Sequence, residues 1–304
     1  MMRVTVVHNP QAGEGSYSRE ELLAALRDSG FKARYQSTKE DGWHRVLEGP
    51  GDFVIAAGGD GTVAKVAKRI AGRGVPLAIL PVGTANNIAS ALGVTGSLED
   101  LIEVWRSGQR RPFDLGIARA GSEERSFVEA AGVGFFAQTM STGPKKKDRE
   151  STETELRLAR EGLRKLLPDF QAVPWRVRLD DEDLSGEYLL VEAMNIDRLG
   201  PGLRLAPNAE PDDGLLDVVL VTAQQRPLLD DYLARRLHGD ETPPELTIRR
   251  AARVQIAAGG PESSIESLRV DDARLGEEAD TRISSSTPVD LRLRRHALEF
   301  LAAG

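Results

Sequence analysis

From the N-terminus to about Leu92, short apolar runs alternate with amphipathic ones. Val4–His8 is a short apolar run that predicts a strand. Ser18-Arg19-Glu20-Glu21 forms a capping box that opens a helix over Glu20–Asp28, and Gly30 stops it. Phe31–Gln36 alternates as a strand, Gly42–Glu48 reads as a weaker helix, and Phe53–Ala57 is a continuous apolar strand. Gly58-Gly59-Asp60-Gly61 separates that strand from a helix over about Thr62–Ile70. Pro76–Leu80 and Ala85–Leu92 complete the series as another strand and helix. Repeated βα units predict a parallel sheet covered by helices on both faces.

The texture changes after Arg111. Short alternating runs follow at Phe113–Arg119, Ser126–Val133, Trp175–Leu179, Glu187–Asn195, Leu215–Val221, Leu246–Ile256, Ser264–Val270 and Val289–Arg294, punctuated by turn residues. This pattern predicts an antiparallel β-rich sandwich or barrel. One helical insert, Thr152–Leu167, interrupts it, with Leu156, Ala159, Leu163 and Leu166 at helical spacing. The chain therefore reads as an α/β N-terminal domain over 1–111, with a C-terminal tail of about 295–304 free to return to it, and a β-rich domain over 112–294.

Composition narrows the chemistry. The 304 residues contain no cysteine, which excludes disulfides, thiolate catalysis and sulfur-based zinc sites. Lys and Arg number 40 against 47 Asp and Glu, and the net charge of −7 argues against general nucleic-acid binding. The 4 histidines (His8, His44, His238 and His296) are scattered, so a histidine metal site or triad is not expected. The N-terminus lacks the apolar core of a signal peptide. The longest stretch without an ionisable side chain, Gly74–Leu98, contains Pro76, Pro81, Asn86 and Asn87, so it does not read as a membrane span. These features suit a cytoplasmic protein, peripheral to a membrane at most.

The strongest chemical signal is Ala56-Ala57-Gly58-Gly59-Asp60-Gly61-Thr62. Glycines allow close backbone approach, and the following helix N-terminus presents free N–H groups and partial positive charge to a phosphate. Asp60 makes sense there if Mg²⁺ or an ordered water mediates its contact with phosphates. The bland reading is a tight turn with an aspartate cap. Leu80-Pro81-Val82-Gly83-Thr84-Ala85-Asn86-Asn87 repeats the logic at the next strand: Thr84 is placed to donate to a phosphate, and Asn86 either to fix the loop or to meet a substrate. Asn9-Pro10-Gln11-Ala12-Gly13 follows the first strand, where Asn9 is placed to meet a nucleotide. There is no Gly-x4-Gly-Lys-Ser/Thr, which excludes a P-loop.

Taken together, these turns resemble the catalytic domain of the diacylglycerol kinase family, bacterial lipid kinases with sphingosine and ceramide kinase relatives. The resemblance implies a nucleotide site for ATP built from Asn9, Thr38, Gly58, Gly59, Asp60, Gly61, Thr62, Gly83, Thr84 and Asn86, with Asp60 acting through Mg-ATP. Phe113-Asp114-Leu115-Gly116 and Ala131-Gly132-Val133-Gly134-Phe135 resemble segments leading into the family's lipid-binding domain. Ala206-Pro207 followed by Asp212-Asp213-Gly214-Leu215-Leu216-Asp217 is similar to a segment that holds a structural Mg²⁺, through Asp213 and the backbone carbonyls of Glu210 and Leu215. An Asp-Gly hairpin is the plainer reading of the same residues. Leu268-Arg269-Val270-Asp271-Asp272-Ala273 aligns with a segment usually read Asp-Gly-Glu, which makes Asp271 the general base with Asp272 next in line. The chain departs from the family at Asp272, Ala273 and Asn87, where many members carry Gly, Glu and Asp.

The implied activity is ATP-dependent phosphorylation of a lipid hydroxyl, the acceptor being diacylglycerol, a sphingoid base or a related lipid. The alternatives are an NAD kinase, whose relatives share Gly-Gly-Asp-Gly-Thr and a β-rich second domain, and a decayed nucleotide- or lipid-binding regulator, suggested by the altered segment after Asp271. The implied partner is a lipid at a membrane surface. Lys145-Lys146-Lys147-Asp148-Arg149 and the insert's Arg157, Arg160, Arg164 and Lys165 are candidates for docking there, although Asp148, Glu150, Glu153, Glu155 and Glu161 favour a plain solvated helix. A homodimer is compatible with the sequence, and no residue pattern decides it.

Overall fold

The apolar run after Met2 forms β1 (Arg3–His8) in a computed structural model that describes residues 1–13, 17–139, 151–261, 263, 268–271, 273–275 and 287–303. The chain divides into two compact units, Met1–Leu115 with Arg149–Glu153 and Arg295–Gly304, and Gly116–Asp148 with Thr154–Arg294.

In the first unit, α1 (Arg19–Asp28) leads from β1 to β2 (Lys32–Ser37), which pairs with β1 in parallel. The expected capping box is present: Glu21 N–H donates to Ser18 Oγ, and Ser18 N–H to Glu21 Oε2 at 2.7 Å. Trp43–Glu48 is a 3₁₀ turn rather than an α-helix, entered through Gly42 at φ 68°. β3 (Phe53–Gly58) lies on the other side of β1 and is buried along its whole length, as a parallel strand covered on both faces must be. α2 (Asp60–Ile70), β4 (Leu77–Pro81) and α3 (Asn87–Ala91) follow, with Gly58 opposite Pro81 across the β3–β4 pair. A further helix, α4 (Leu98–Ser107), is closed at its start by reciprocal Ser97 and Asp100 bonds and buries Leu98, Leu101, Ile102 and Trp105.

The chain continues through β5 (Arg110–Ala120), β6 (Glu123–Phe127), β7 (Ala130–Gly134), α5 (Phe135–Thr139), α6 (Thr152–Leu166), β8 (Val173–Leu179), β9 (Glu182–Asp183), β10 (Gly186–Tyr188) and β11 (Leu190–Met194). The short hairpin β12 (Arg198–Leu199) and β13 (Leu203–Arg204) precedes β14 (Leu216–Val221), α7 (Arg226–Leu237), β15 (Thr247–Ala251), β16 (Arg253–Ala258), β17 (Arg269–Val270), β18 (Ala273–Arg274) and β19 (Val289–Leu301).

The second unit is an antiparallel sandwich. One 6-stranded sheet runs β15-β14-β11-β7-β17-β18, and another layer runs β10-β8-β16-β19 with β5 beside β19 and β6 beside β5. Alternating residues of the two layers share one core: Trp175, Val177, Val254, Ile256 and Leu291 meet Val133, Val191, Val218 and Val270. The other face of the 6-stranded sheet is also covered, with Met194 and Val219 packed among Phe135, Phe136, Leu163, Leu229 and Tyr232. That helical layer corrects the stripe read along the insert: Leu163 and Leu167 are buried, whereas Leu166 is 49% exposed. Val289, Leu291 and Asp290 of β19 pair with β16, and further along the same strand Phe300 lies opposite Leu77 of β4. In the first unit Asp114 Oδ1 accepts the His296 N–H at 2.6 Å, tying the returning tail to β5. No helix among the described residues is long and apolar enough to cross a membrane.

Candidate active site

The parallel strands of the first unit end together, so their following turns share one edge of the sheet, where α/β folds bind ligands. At β1, Asn9 N–H donates to Ala57 O at 2.9 Å, and Asn9 Oδ1 accepts the Gln11 N–H, which curls the loop back on itself. At β2, Thr38 N–H donates to His8 O at 2.8 Å, so Thr38 sits beside the end of β1. His8 itself is buried against the Tyr35 hydroxyl at 2.9 Å, and burial lowers its pKa.

The turns after β3 and β4 touch through their backbones. A Cβ on Gly83 would lie 2.2 Å from Gly59 Cα, so no side chain is tolerated at 83 without separating the loops. Side chains then lock the pair. Asn86, at φ 51°, accepts the Gly83 N–H on Oδ1 and donates from Nδ2 to Gly83 O, both at 2.9 Å. Asp60 Oδ1 accepts the Ile88 N–H at 2.9 Å, so the acid of the first turn holds the first turn of α3. Thr62 is buried, its N–H donating to Gly59 O at 2.9 Å. No side chain caps α2 at Gly59, so the N-terminal end of its dipole is presented to an anion entering beside Gly59, Gly61 and Thr84. The five groups from Gly58 to Thr62 and the loop Gly83–Asn86 are thus brought together, along with the loop ends at Asn9 and Thr38.

The remaining sequence candidates lie in the second unit. Asp271 follows β17 at φ 54°. Its carboxylate accepts N–H bonds from Val128 at 3.0 Å and Glu129 at 2.8 Å, while its own N–H donates to Ala130 O at 2.9 Å. The carboxylate is therefore oriented from the loop between β6 and β7. Arg269 Nε donates to the Asp271 carbonyl at 2.6 Å. Asp272 and Lys145-Lys146-Lys147 lie outside the described residues.

Asp213 accepts the Leu215 N–H on Oδ1 at 2.8 Å, a turn within the segment, and its Oδ2 meets Arg250. Asp217, two residues further along β14, went unread in the sequence as a site residue. It is buried, its Oδ2 accepts no hydrogen bond, and burial followed by the nearby charge of Glu210 pushes its pKa up to about 6. The Arg250 guanidinium is 3.7 Å away. A buried carboxylate oxygen without a donor, beside Asp213 and Glu210, is a donor set that suits a hard cation. Among the described residues, no three His, Asp or Glu side chains converge as a metal cage, so such an ion would depend on backbone carbonyls as well.

Glu192 was also unread. It sits on β11 opposite Gly132 of β7, and Arg269 of β17 lies opposite the same glycine. A Cβ on Gly132 would fall 2.1 Å from Glu192 Oε2, so the glycine leaves the space the carboxyl fills. Burial pushes the Glu192 pKa up to about 8 against the opposing pull of Arg269.

An α/β unit with two interlocked glycine turns at its sheet edge is followed along the chain by an antiparallel sandwich, an architecture that points to a kinase-like class. Residues 3–118 match the Diacylglycerol kinase catalytic domain profile, and residues 142–302 match the YegS C-terminal NAD kinase beta sandwich-like domain. The chain belongs to the diacylglycerol kinase catalytic-domain family. Among its relatives, the diacylglycerol kinase of Staphylococcus saprophyticus is 27% identical over 266 residues, covering 84% of this chain and 85% of that one. That of Staphylococcus epidermidis is 26% identical, covering 84% and 82%. Two solved Bacillus anthracis structures described as diacylglycerol kinases share the fold, with TM-scores of 0.74 and 0.70 at 23% and 21% identity. They are matched over 99% of this chain and 95% and 97% of theirs.

Proposed function

We propose that this kinase uses ATP to phosphorylate the hydroxyl of a membrane lipid of the diacylglycerol type. The observation that carries the reading is the backbone contact between the Gly58–Thr62 and Gly83–Asn86 turns, locked by Asp60 and Asn86 at the end of a parallel sheet. Such a site meets phosphate oxygens with N–H groups and a helix dipole, and it needs no cluster of lysines.

Asn9 and Thr38 are placed at neighbouring strand ends to meet the nucleotide, and the two glycine turns hold its phosphates. Asp271 takes the proton from the lipid hydroxyl. The lipid oxygen forms its bond to the γ-phosphorus as the bond to the β,γ-bridging oxygen breaks, releasing ADP. Phosphoryl transfer depends mainly on positioning and charge neutralisation, which accounts for the small number of side chains involved. Magnesium would supply charge neutralisation on the phosphates, with Asp60 as the carboxylate of the glycine turn. A second, structural ion would rest on Asp213, the carbonyls of Glu210 and Leu215, and the neighbouring Asp217.

The test is a screen of radiolabelled ATP against extracted membrane lipids, with diacylglycerol, a sphingoid base and NAD assayed separately. Label in a chloroform-soluble phospholipid supports the reading. Label in NADP, or ATP binding with no labelled lipid, overturns it.

A further inference from the structure

The second unit carries a basic face that the kinase reaction leaves unused. Along β8, β16, β19 and β5, one set of alternating residues fills the sandwich core, and the other set points away from it. On β8 the core set is Trp175, Val177 and Leu179, and Arg176 and Arg178 are exposed. On β16 Val254 and Ile256 are in the core, leaving Arg253 and Gln255 outside. On β19 Val289 and Leu291 are in, and Asp290, Arg292 and Arg294 are out. On β5 Ala118 is in and Arg119 is out.

The outward arginines are concentrated. Arg119, Arg253, Arg292 and Arg294 line a shallow cleft of about 510 Å³ together with Ile117 and Pro288. A second cleft of about 410 Å³, shared at Gln255 and Pro288, continues the surface to Arg176 and Arg178. Asp290 is the carboxylate at the centre, and Arg253 and Arg292 both bond to it, the latter at 2.7 Å. The other acids of this face include Glu124, Asp183 and Glu187 on the peripheral strands β6, β9 and β10, and Asp181 in the turn between β8 and β9, 3.8 Å from Arg178. Glu124 pairs with Arg119 at 3.0 Å. Arg294 makes no ion pair among the described residues, and Arg176 spends only its Nε on Ala258 O.

We propose that this arginine-bearing sheet face docks on an anionic lipid bilayer, with its guanidinium groups on headgroup phosphates and Ile117 and Pro288 at the interface between them. Positive groups from four successive strands share one face of a chain whose net charge is −7, and that face is complementary to anionic headgroups. Guanidinium groups match phosphate oxygens bidentately, which a solvated lysine does not. A nucleic acid would use aromatic stacking or a groove-filling element as well, and this face presents neither. The choice of a bilayer as the anion rests on the lipid-kinase reading; the placement of the arginines does not.

The experiment is flotation of the full chain with vesicles of phosphatidylcholine alone or mixed with phosphatidylglycerol. The wild type is compared with Arg292→Gln/Arg294→Gln and with Arg176→Gln/Arg178→Gln, all checked by circular dichroism and thermal melting. A basic residue at an anionic surface is worth roughly fivefold in affinity, so each double variant should bind mixed vesicles about 10- to 30-fold more weakly. Phosphatidylcholine vesicles should bind none of the proteins strongly, and added salt should release the wild type. Phosphorylation of lipid dispersed in neutral detergent should be unchanged in the variants. Equal binding of wild type and folded variants to mixed vesicles overturns the proposal. So does release by inorganic phosphate at an ionic strength where chloride has no effect, which would mark a single-phosphate pocket, and so does preferential binding to an RNA or DNA duplex. Vesicle binding that depends on these arginines in a protein that labels no lipid upholds the surface and overturns the kinase reading instead.

Discussion

The two units build their candidate sites from different groups. At the sheet edge of the first unit, Asp60 and Asn86 are spent on backbone N–H groups of Ile88 and Gly83, so that backbone and helix dipole are left to meet the ligand. In the second unit, acids are held for their own carboxyl groups: Asp271 is aimed by Val128 and Glu129, and Glu192 and Asp217 are buried with raised pKa values. A phosphate site built from backbone is sensitive to any atom added to its glycines. A site built from carboxyl groups is sensitive to charge and to pH.

Gly83→Ala should therefore have the largest effect. Its Cβ would fall 2.2 Å from Gly59 Cα, and backbone cannot rotate away. A displacement on the order of 1 Å at such a site costs about 10²-fold in rate, and ATP affinity measured by calorimetry should fall with it. Unchanged ATP binding in a folded Gly83→Ala protein would break the comparison on the side of the first unit.

Glu192→Gln tests the other side. The folded pKa of about 8 lies above the ordinary 4.5, so between those values the folded chain holds a proton that the unfolded chain releases. Stability then falls as pH rises from 4.5 to 8, by an amount on the order of 5 kcal/mol at most. Glutamine fills the same space without titrating. Unfolding free energies of the two proteins from urea titrations should agree near the lower pH and separate by several kcal/mol near the upper one, the variant being more stable. Parallel pH profiles would show that the carboxyl is ionised in the folded chain.

A smaller effect is expected on the fold from Asp60→Asn. The amide oxygen still accepts the Ile88 N–H, so stability should change by less than about 1 kcal/mol. Turnover should nevertheless fall, because the substitution removes the carboxylate charge from the glycine turn. Retention of full turnover would leave Asp60 as a helix cap alone.

The sequence displayed the first unit almost completely, because β3 and its glycine turn are local patterns and each strand is followed by its own helix. What it did not display is how the turns hold each other. Asp60 finds its partner in Ile88, and nothing near Asp60 signals a bond to a residue after the next strand. In the second unit, strands such as Leu216–Val221 were legible from their apolar content, and the antiparallel sandwich followed. The helices α4 and α7 were not read, although Ser97 and Asp100 carry a local signal for the first. α7 has no continuous apolar stripe, its buried residues including Arg236 beside Leu229, Tyr232 and Leu233. Glu192 escaped notice because alternation assigns it to solvent. It is buried only because helices cover the outer face of its sheet, and that is a tertiary fact.

Asp271→Asn tests most directly whether Asp271 acts as the base in phosphoryl transfer to a lipid. Asparagine tolerates the left-handed backbone at this position and still accepts an N–H bond from the loop at Val128 and Glu129, so the fold is retained. Single-turnover transfer of label from ATP to the lipid should slow by about 10² to 10⁴-fold, with ATP affinity unchanged. Transfer at the wild-type rate, or loss of ATP binding in step with loss of transfer, would contradict it.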